Sequence, residues 1–202
     1  MAALTIEEII RGVEQHLEVV RFGLEDMRTR PLRVRSGFLN VVVFGRTITF
    51  ALQKLKNKVP DFDNWYSLHR ESLQSNTAAK YLFSLRNSIE KEAHVPELAA
   101  RGTFKLLSAE TMKAFEPPPP NAVSFFMGDR NGGSGWMVRM NDGSEEPYYM
   151  DLPPEVGQIE LMLQGFPRQH GGSEPSAITL ATEYADLLAE IVRDARRQFM
   201  PR

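Results

Sequence analysis

Apolar residues recur at three- and four-residue steps from Ile6 through Ile9, Ile10, Val13, Leu17, Val20 and Leu24 to Met27, which predicts one long helix with a single buried stripe. Thr5 and Glu8 have the spacing of a capping box at its start. Arg30-Pro31 ends it, because a residue preceding proline is pushed out of the α region. A second helix is expected from Ser36-Gly37 to about Lys58. Its apolar positions, among them Phe38, Val41 to Phe44, Ile48, Phe50, Leu52 and Leu55, cover more than one face, so it belongs at the centre of a bundle. The run Val41-Val42-Val43-Phe44 taken alone suits a strand, but roughly 20 residues without a turn signal favour the helix. Gly45 inside it costs about 1 kcal/mol relative to alanine, which is tolerated where a neighbouring helix approaches closely.

Pro60-Asp61-Phe62-Asp63 breaks the chain and offers Asp61 or Asp63 as N-cap of a third helix carrying Trp65, Tyr66, Leu68 and Leu73. Asn76 can cap a fourth, whose Leu82, Leu85 and Ile89 share a face; Val95-Pro96 requires it to end near His94. After Gly102 the pattern changes to short segments bounded by Gly, Pro, Asn and Asp. Strands are predicted at 104–107, 123–127, 136–140, 147–150 and 159–163. Asn141-Asp142-Gly143 predicts a hairpin with a type I′ turn. A last helix opens at Ser173-Glu174-Pro175, with a stripe running from Ile178 through Ala181, Tyr184, Leu188, Ile191 and Ala195 to Phe199. One helix cannot bury such a stripe alone, so it is expected to return to the bundle. The fold class is therefore α+β: a mainly α-helical bundle over 1–101, a strand-rich insertion over 102–172, and a C-terminal helix over 173–202 that packs back.

Composition removes several classes of chemistry. The chain has no cysteine, which excludes disulfides, thiolate nucleophiles and cysteine-ligated metals. With 24 Lys+Arg against 26 Asp+Glu, a whole-surface nucleic-acid or acidic-membrane coat is disfavoured, while a local basic patch is not. No apolar run approaches the roughly 20 residues that span a bilayer, and Thr5-Ile6-Glu7-Glu8 is unlike a basic signal-peptide start. A cytoplasmic protein with no membrane partner is expected. His16 and His69 lack a partner at His-x3-His spacing, and no Gly-x-Ser-x-Gly elbow occurs. No metal, no cofactor and no serine-hydrolase site is expected.

Two clusters carry candidate chemistry. Arg86, Glu90 and His94 fall at helical i, i+4 and i+8, with Asn87 and Lys91 one step around the same helix. Arginine can hold a phosphate or a developing anion, and histidine or lysine can move or orient a proton. The alternative is an Arg86–Glu90 ion pair on a helix that His94 merely terminates. Arg28, Arg30, Arg33 and Arg35 cluster between the first two helices and, with Arg46, are candidate phosphate contacts; the alternative is a solvated connection. Pro117 to Pro120 reads as a stiff spacer, and the glycines from Gly128 to Gly135 as a hairpin rather than a phosphate loop.

Phe44-Gly45-Arg46-Thr47-Ile48-Thr49-Phe50, Phe62-Asp63-Asn64-Trp65-Tyr66 and Leu85-Arg86-Asn87-Ser88-Ile89-Glu90-Lys91-Glu92 resemble the helical HEPN superfamily. The resemblance covers about the first 95 residues and the final helix. It implies a helical bundle, often dimeric, and either a metal-independent ribonuclease of toxin–antitoxin or phage-defence systems or a non-catalytic RNA- or nucleotide-binding module. The family's nuclease motif is Arg, a polar residue, then His after four to six intervening positions. Arg86 and Asn87 match it, whereas Lys91, Glu92 and Ala93 occupy the histidine window and His94 lies one residue beyond. The implied function is an RNA-associated protein with a degenerate nuclease motif, Lys91 or His94 taking the proton role if activity survives. The alternative is a non-catalytic protein-interaction or structural module. A homodimer would follow if the second helix's wide apolar arc exceeds what one bundle buries.

Overall fold

The computed structural model describes residues 4–92, 97–105, 108, 114–166 and 174–200. The chain divides into a helical unit (Met1–Arg30, Val34–Pro96 and Ile178–Arg202) and a strand-rich unit (Pro31–Arg33 and Glu97–Ala177). The fold is α+β, with the strands placed before the C-terminal helix.

In the helical unit, α1 (Ile6–Thr29) opens on the expected capping box: the Glu8 amide donates to Thr5 Oγ1 at 3.2 Å and the Thr5 amide to Glu8 Oε2 at 2.7 Å. It closes at Arg30, ahead of Pro31. A short 3₁₀ turn, Pro31–Arg33, leads into α2 (Val34–Leu52), so the helix begins before Ser36-Gly37 rather than after it. Gly37 is not a break but a contact. A Cβ there would lie 2.4 Å from the Gly23 carbonyl oxygen, and one on Gly23 would lie 2.6 Å from that of Gly37. The two glycines let α1 and α2 touch backbone to backbone. At its other end α2 gives way to a 3₁₀ turn, Gln53–Leu55, earlier than Lys58.

Along α2 only Ser36 and Phe50 are exposed, so the wide apolar arc is covered or half-covered within the chain except at Phe50. Val41, Val42, Ile48 and Leu52 sit in the core with Ile10, Val13 and Val20 of α1. Gly45 meets the last helix, as its tolerance requires: a Cβ would lie 2.4 Å from the Tyr184 ring. α3 (Phe62–Ser75) begins after Asp61, which stands at the N-cap in a left-handed conformation and makes no side-chain cap. The Asp61 carboxylate instead accepts from the Asn64 side chain. Asn76 caps α4 (Thr77–Glu92), its Oδ1 accepting from the Ala79 amide at 2.8 Å. α5 (Ala177–Phe199) supplies Leu180, Tyr184, Leu188 and Ile191 to the core. Trp65, Asn76 and Glu14 bond to its Asp194, Glu183 and Arg196 respectively.

The strand-rich unit holds two antiparallel sheets. β1 (Leu98–Phe104) pairs with β5 (Gly157–Leu163), from Leu98 opposite Leu163 to Phe104 opposite Gly157. β2 (Ala122–Met127), β3 (Ser134–Arg139) and β4 (Glu145–Met150) form a meander in that order. The first strand thus starts before residue 102, because its apolar partner β5 recruits Leu98-Ala99-Ala100, a stretch without β-branched residues. The expected strand at 104–107 survives only as the end of β1; Leu106 and Leu107 lie outside the described residues. The β3–β4 turn also differs in type. Gly143 donates to the Met140 carbonyl at 3.0 Å and alone among the loop residues has positive φ, at 86°. This is a type I turn closed by a left-handed glycine, the three-residue hairpin form. The β2–β3 loop is held by Asp129, whose Oδ1 accepts from the amides of Asn131 and Gly133 and whose Oδ2 accepts from the Tyr149 hydroxyl at 2.6 Å.

Candidate cation site and adjoining cleft

Arg46 lies three turns into α2, and Phe50 follows at i+4 on the same face. The Arg46 guanidinium sits 3.8 Å from the centroid of the Phe50 ring and 4.1 Å from that of Phe83 on α4, a cation between two aromatic faces. Each such contact contributes about 0.5–2 kcal/mol, more as water is excluded. Arg46 Nη1 also donates to Thr49 Oγ1 at 2.7 Å, and that hydroxyl donates to the Arg46 carbonyl at 2.9 Å. Arg86, one turn beyond Phe83 on α4, approaches the same Phe50 ring at 5.6 Å.

Two guanidinium groups therefore share one patch. Burial pulls the Arg46 pKa below its usual value, partly countered by Tyr66 and Tyr184, while the like charge of Arg86 adds to the lowering. Arginine remains protonated regardless, so the shift measures the cost of holding the charge there. Burial raises the Tyr184 hydroxyl well above the ordinary tyrosine value, against the pull of Arg46 and Arg86. The Nε–H groups of Arg46 and Arg86 are both buried with no acceptor among the described residues.

Arg86 pairs with Glu90 at 2.5 Å, the ion pair that the i, i+4 spacing allows. Asn87 is half-buried and Lys91 exposed. At 100° per residue Lys91 lies about 140° around α4 from Arg86, so these two do not share a face. His94 lies outside the described residues, as does His170. Of the other histidines, His16 packs on Phe44 with ring centroids 5.7 Å apart, and His69 Nε2 lies 2.9 Å from Asp194 Oδ2. Among the described residues no group of three or more His, Asp or Glu side chains is placed to hold a metal.

The basic connection does not gather into this site. Arg28 donates to Thr182 Oγ1 at 3.1 Å, and Arg30 pairs with Asp26 at 3.5 Å. Arg33 belongs to the strand-rich unit, and Arg35 lies in the first turn of α2. Arg46 is about 16 Å further along that helix than Arg35 and joins Arg86 instead.

Beside Arg46 opens a cleft of about 520 Å³ walled by Tyr66, Phe83 and Tyr184, with Arg46, Lys56, Arg70 and Lys80 against a single carboxylate, Asp63. Lys56 and Asp63 pair at 3.1 Å. Among the described residues Arg70 and Lys80 have no side-chain partner. Sequence reasoning missed Phe50, Phe83, Arg70 and Lys80. The Arg46–Phe50 spacing was the local signal available; the others converge from different helices.

A second polar cluster ties α3 to α5. Trp65 Nε1 donates to Asp194 Oδ2 at 2.7 Å, His69 shares that oxygen, and Arg197 holds Oδ1. Burial raises the Asp194 carboxyl, but the three hydrogen bonds together outweigh it and hold the pKa below the usual value.

These features define an α+β protein whose helical unit carries a paired-arginine patch beside a cationic, aromatic-walled cleft. Residues 24–124 match the family described as bacteriophage lambda protein ea47, and the chain belongs to that family. The matched span takes in α2, α3 and α4, and so Arg46, Phe50, Phe83 and Arg86. No curated protein and no solved structure matches the chain.

No helix among the described residues is long and apolar enough to cross a membrane.

Proposed function

We propose that this protein is a HEPN-like, RNA-associated protein of the defence or toxin–antitoxin type, binding RNA through Arg46 and Arg86 without cleaving it. The observation that carries this reading is the desolvated Arg46 guanidinium held between two exposed rings, with Arg86 beside it. Phe50 is 44% exposed and Phe83 40%, and exposed rings beside arginine are the platform on which unpaired bases stack. Arg46 and Arg86 each bury an Nε–H that finds no acceptor among the described residues, which opposes folding; an arriving phosphate would supply an acceptor. The non-cleaving reading is supported by Glu90 pairing with Arg86, by Lys91 facing elsewhere, and, among the described residues, by His16 and His69 being engaged with Phe44 and Asp194.

The test is labelled single-stranded RNA in EDTA, with the parent beside Arg46→Gln and Arg86→Ala. Binding without cleavage is expected, with the salt dependence flattened by about 0.7 log units per decade for each lost phosphate contact. Cleavage by the parent and not by Arg86→Ala would show a working nuclease. Absence of binding would favour the second reading, a non-catalytic interaction module. That reading draws on the same Arg86–Glu90 pair and Arg46 stack, acting only as braces between α2 and α4.

A further inference from the structure

The cleft beside Arg46 differs from an open nucleic-acid track in size and in charge. At about 520 Å³ it falls in the range that takes one small molecule or one residue of a polymer. Among its described lining residues four cations face one carboxylate, an excess of about three positive charges in a space of that size. An internal nucleotide presents only phosphodiesters, each carrying one charge. A terminal phosphate monoester carries about −1.5 to −2 at pH 7, and its own nucleotide adds a diester charge. Among the described residues two of the cations also lack side-chain partners: Arg70 on α3 and Lys80 on α4 come from different helices to the same opening. Tyr66 and Phe83 offer flat apolar walls for a planar base.

We infer that this cleft receives the phosphorylated end of an RNA strand, Arg70 and Lys80 holding the terminal phosphate monoester. The inference rests on the RNA-binding reading above and adds to it that the strand is recognised by its end. Arg46 stands at the boundary, lining the cleft and stacking between Phe50 and Phe83, so a strand seated by its end passes directly onto the paired-arginine patch.

The experiment compares short single-stranded RNAs of one sequence bearing a 5′-phosphate, a 3′-phosphate or hydroxyls at both ends, by fluorescence anisotropy with the full chain. An end-phosphorylated strand should bind roughly tenfold tighter than the hydroxyl-ended one, the effect of one charge-assisted contact, and whichever end shows the advantage is the end recognised. The advantage should fade below about pH 6 as the monoester takes up its second proton. Arg70→Gln and Lys80→Gln, at exposed positions and checked for folding by circular dichroism, should bring the end-phosphorylated strand down to the affinity that the same variant shows for the hydroxyl-ended strand. Equal affinity for all three strands would overturn end recognition and leave RNA association standing. Competition by a free nucleoside monophosphate at the strand's own affinity would also overturn it, making the cleft a nucleotide pocket. Failure to bind any of the strands would remove the RNA reading, and this inference with it.

Discussion

Substituting Gly37 by alanine tests the backbone contact that sets the spacing of α1 and α2. The new Cβ would lie 2.4 Å from the Gly23 carbonyl oxygen, with Met27 and Asp26 side-chain atoms at 3.1 and 3.2 Å. The nearest obstacle is backbone, so the helices must part by roughly 1 Å to restore ordinary contact, with loss of dispersion along the seam. Overpacking of this kind costs about 1–3 kcal/mol, and the gain in helix propensity from glycine to alanine returns about 1. The expected net effect is a destabilisation of about 1 kcal/mol, reaching about 2 if the seam does not yield. Gly12 supplies the internal control: on α1, a Cβ there would meet nothing within 4 Å, so Gly12→Ala should stabilise by about 0.5–1 kcal/mol through propensity alone. Because Gly23 and Gly37 face the same gap, the double alanine variant should cost less than the sum of the two singles, the second Cβ entering space the first has opened. Urea unfolding read from tryptophan fluorescence measures this. The chain has two tryptophans, Trp65 in the helical unit and Trp136 in the strand-rich unit, so a Trp136→Phe background isolates the helical signal. If Gly37→Ala stabilises as much as Gly12→Ala, or if the two glycine substitutions add, the close approach does not govern this packing.

Two further outcomes follow from named contacts. Asn76→Ala removes both the cap on the Ala79 amide and the donor to Glu183 and should cost about 1–2 kcal/mol in urea unfolding, with Asn76→Ser, which keeps a cap oxygen, recovering about 1; equal loss in both would place the effect at Glu183 rather than at the cap. Asp194→Asn weakens the acceptor shared by Trp65, His69 and Arg197 and should cost about 1–3 kcal/mol at neutral pH. Since the folded carboxyl titrates below its usual range, its contribution is present above about pH 4 and disappears as pH falls through the lowered value. The stability gap between parent and variant should therefore close below about pH 4, and a gap of constant size would refute the ionic account.

The helical framework was legible because its signals are local. Thr5 with Glu8, Arg30 before Pro31 and Asn76 ahead of Ala79 each act within four residues, and each appears where its spacing places it. Gly45 was readable as a point of close approach, though not that Tyr184 would fill it. Gly37 was misread as a helix start because a contact glycine and a boundary glycine look alike until the neighbouring helix is known. β1 was displaced for a related reason: Leu98-Ala99-Ala100 has weak strand propensity and is made a strand by its pairing with β5. At the candidate site, the Arg86–Glu90 pair followed from spacing. Arg46 was assigned to the basic connection because it is near Arg35 in sequence, whereas the fold seats it against Phe83 and Arg86. The cleft left no sequence signal, since Arg46, Arg70, Lys80 and Tyr184 come from α2, α3, α4 and α5.

The helical unit is interrupted in sequence, and this has a consequence for how the chain is made. Residues 97–177 separate α4 from the body of α5, so Gly45, which packs on Tyr184 and Leu188, waits for a helix that emerges about 80 residues after α4. At 5–20 residues per second that delay is on the order of 4–16 s, far longer than helices take to form. Until then the face of α2 that α5 will cover has no partner in the chain, and a nascent-chain chaperone or another copy of the emerging chain has seconds in which to occupy it. Stability of the finished fold does not protect this stage; speed of synthesis through the strand-rich segment does.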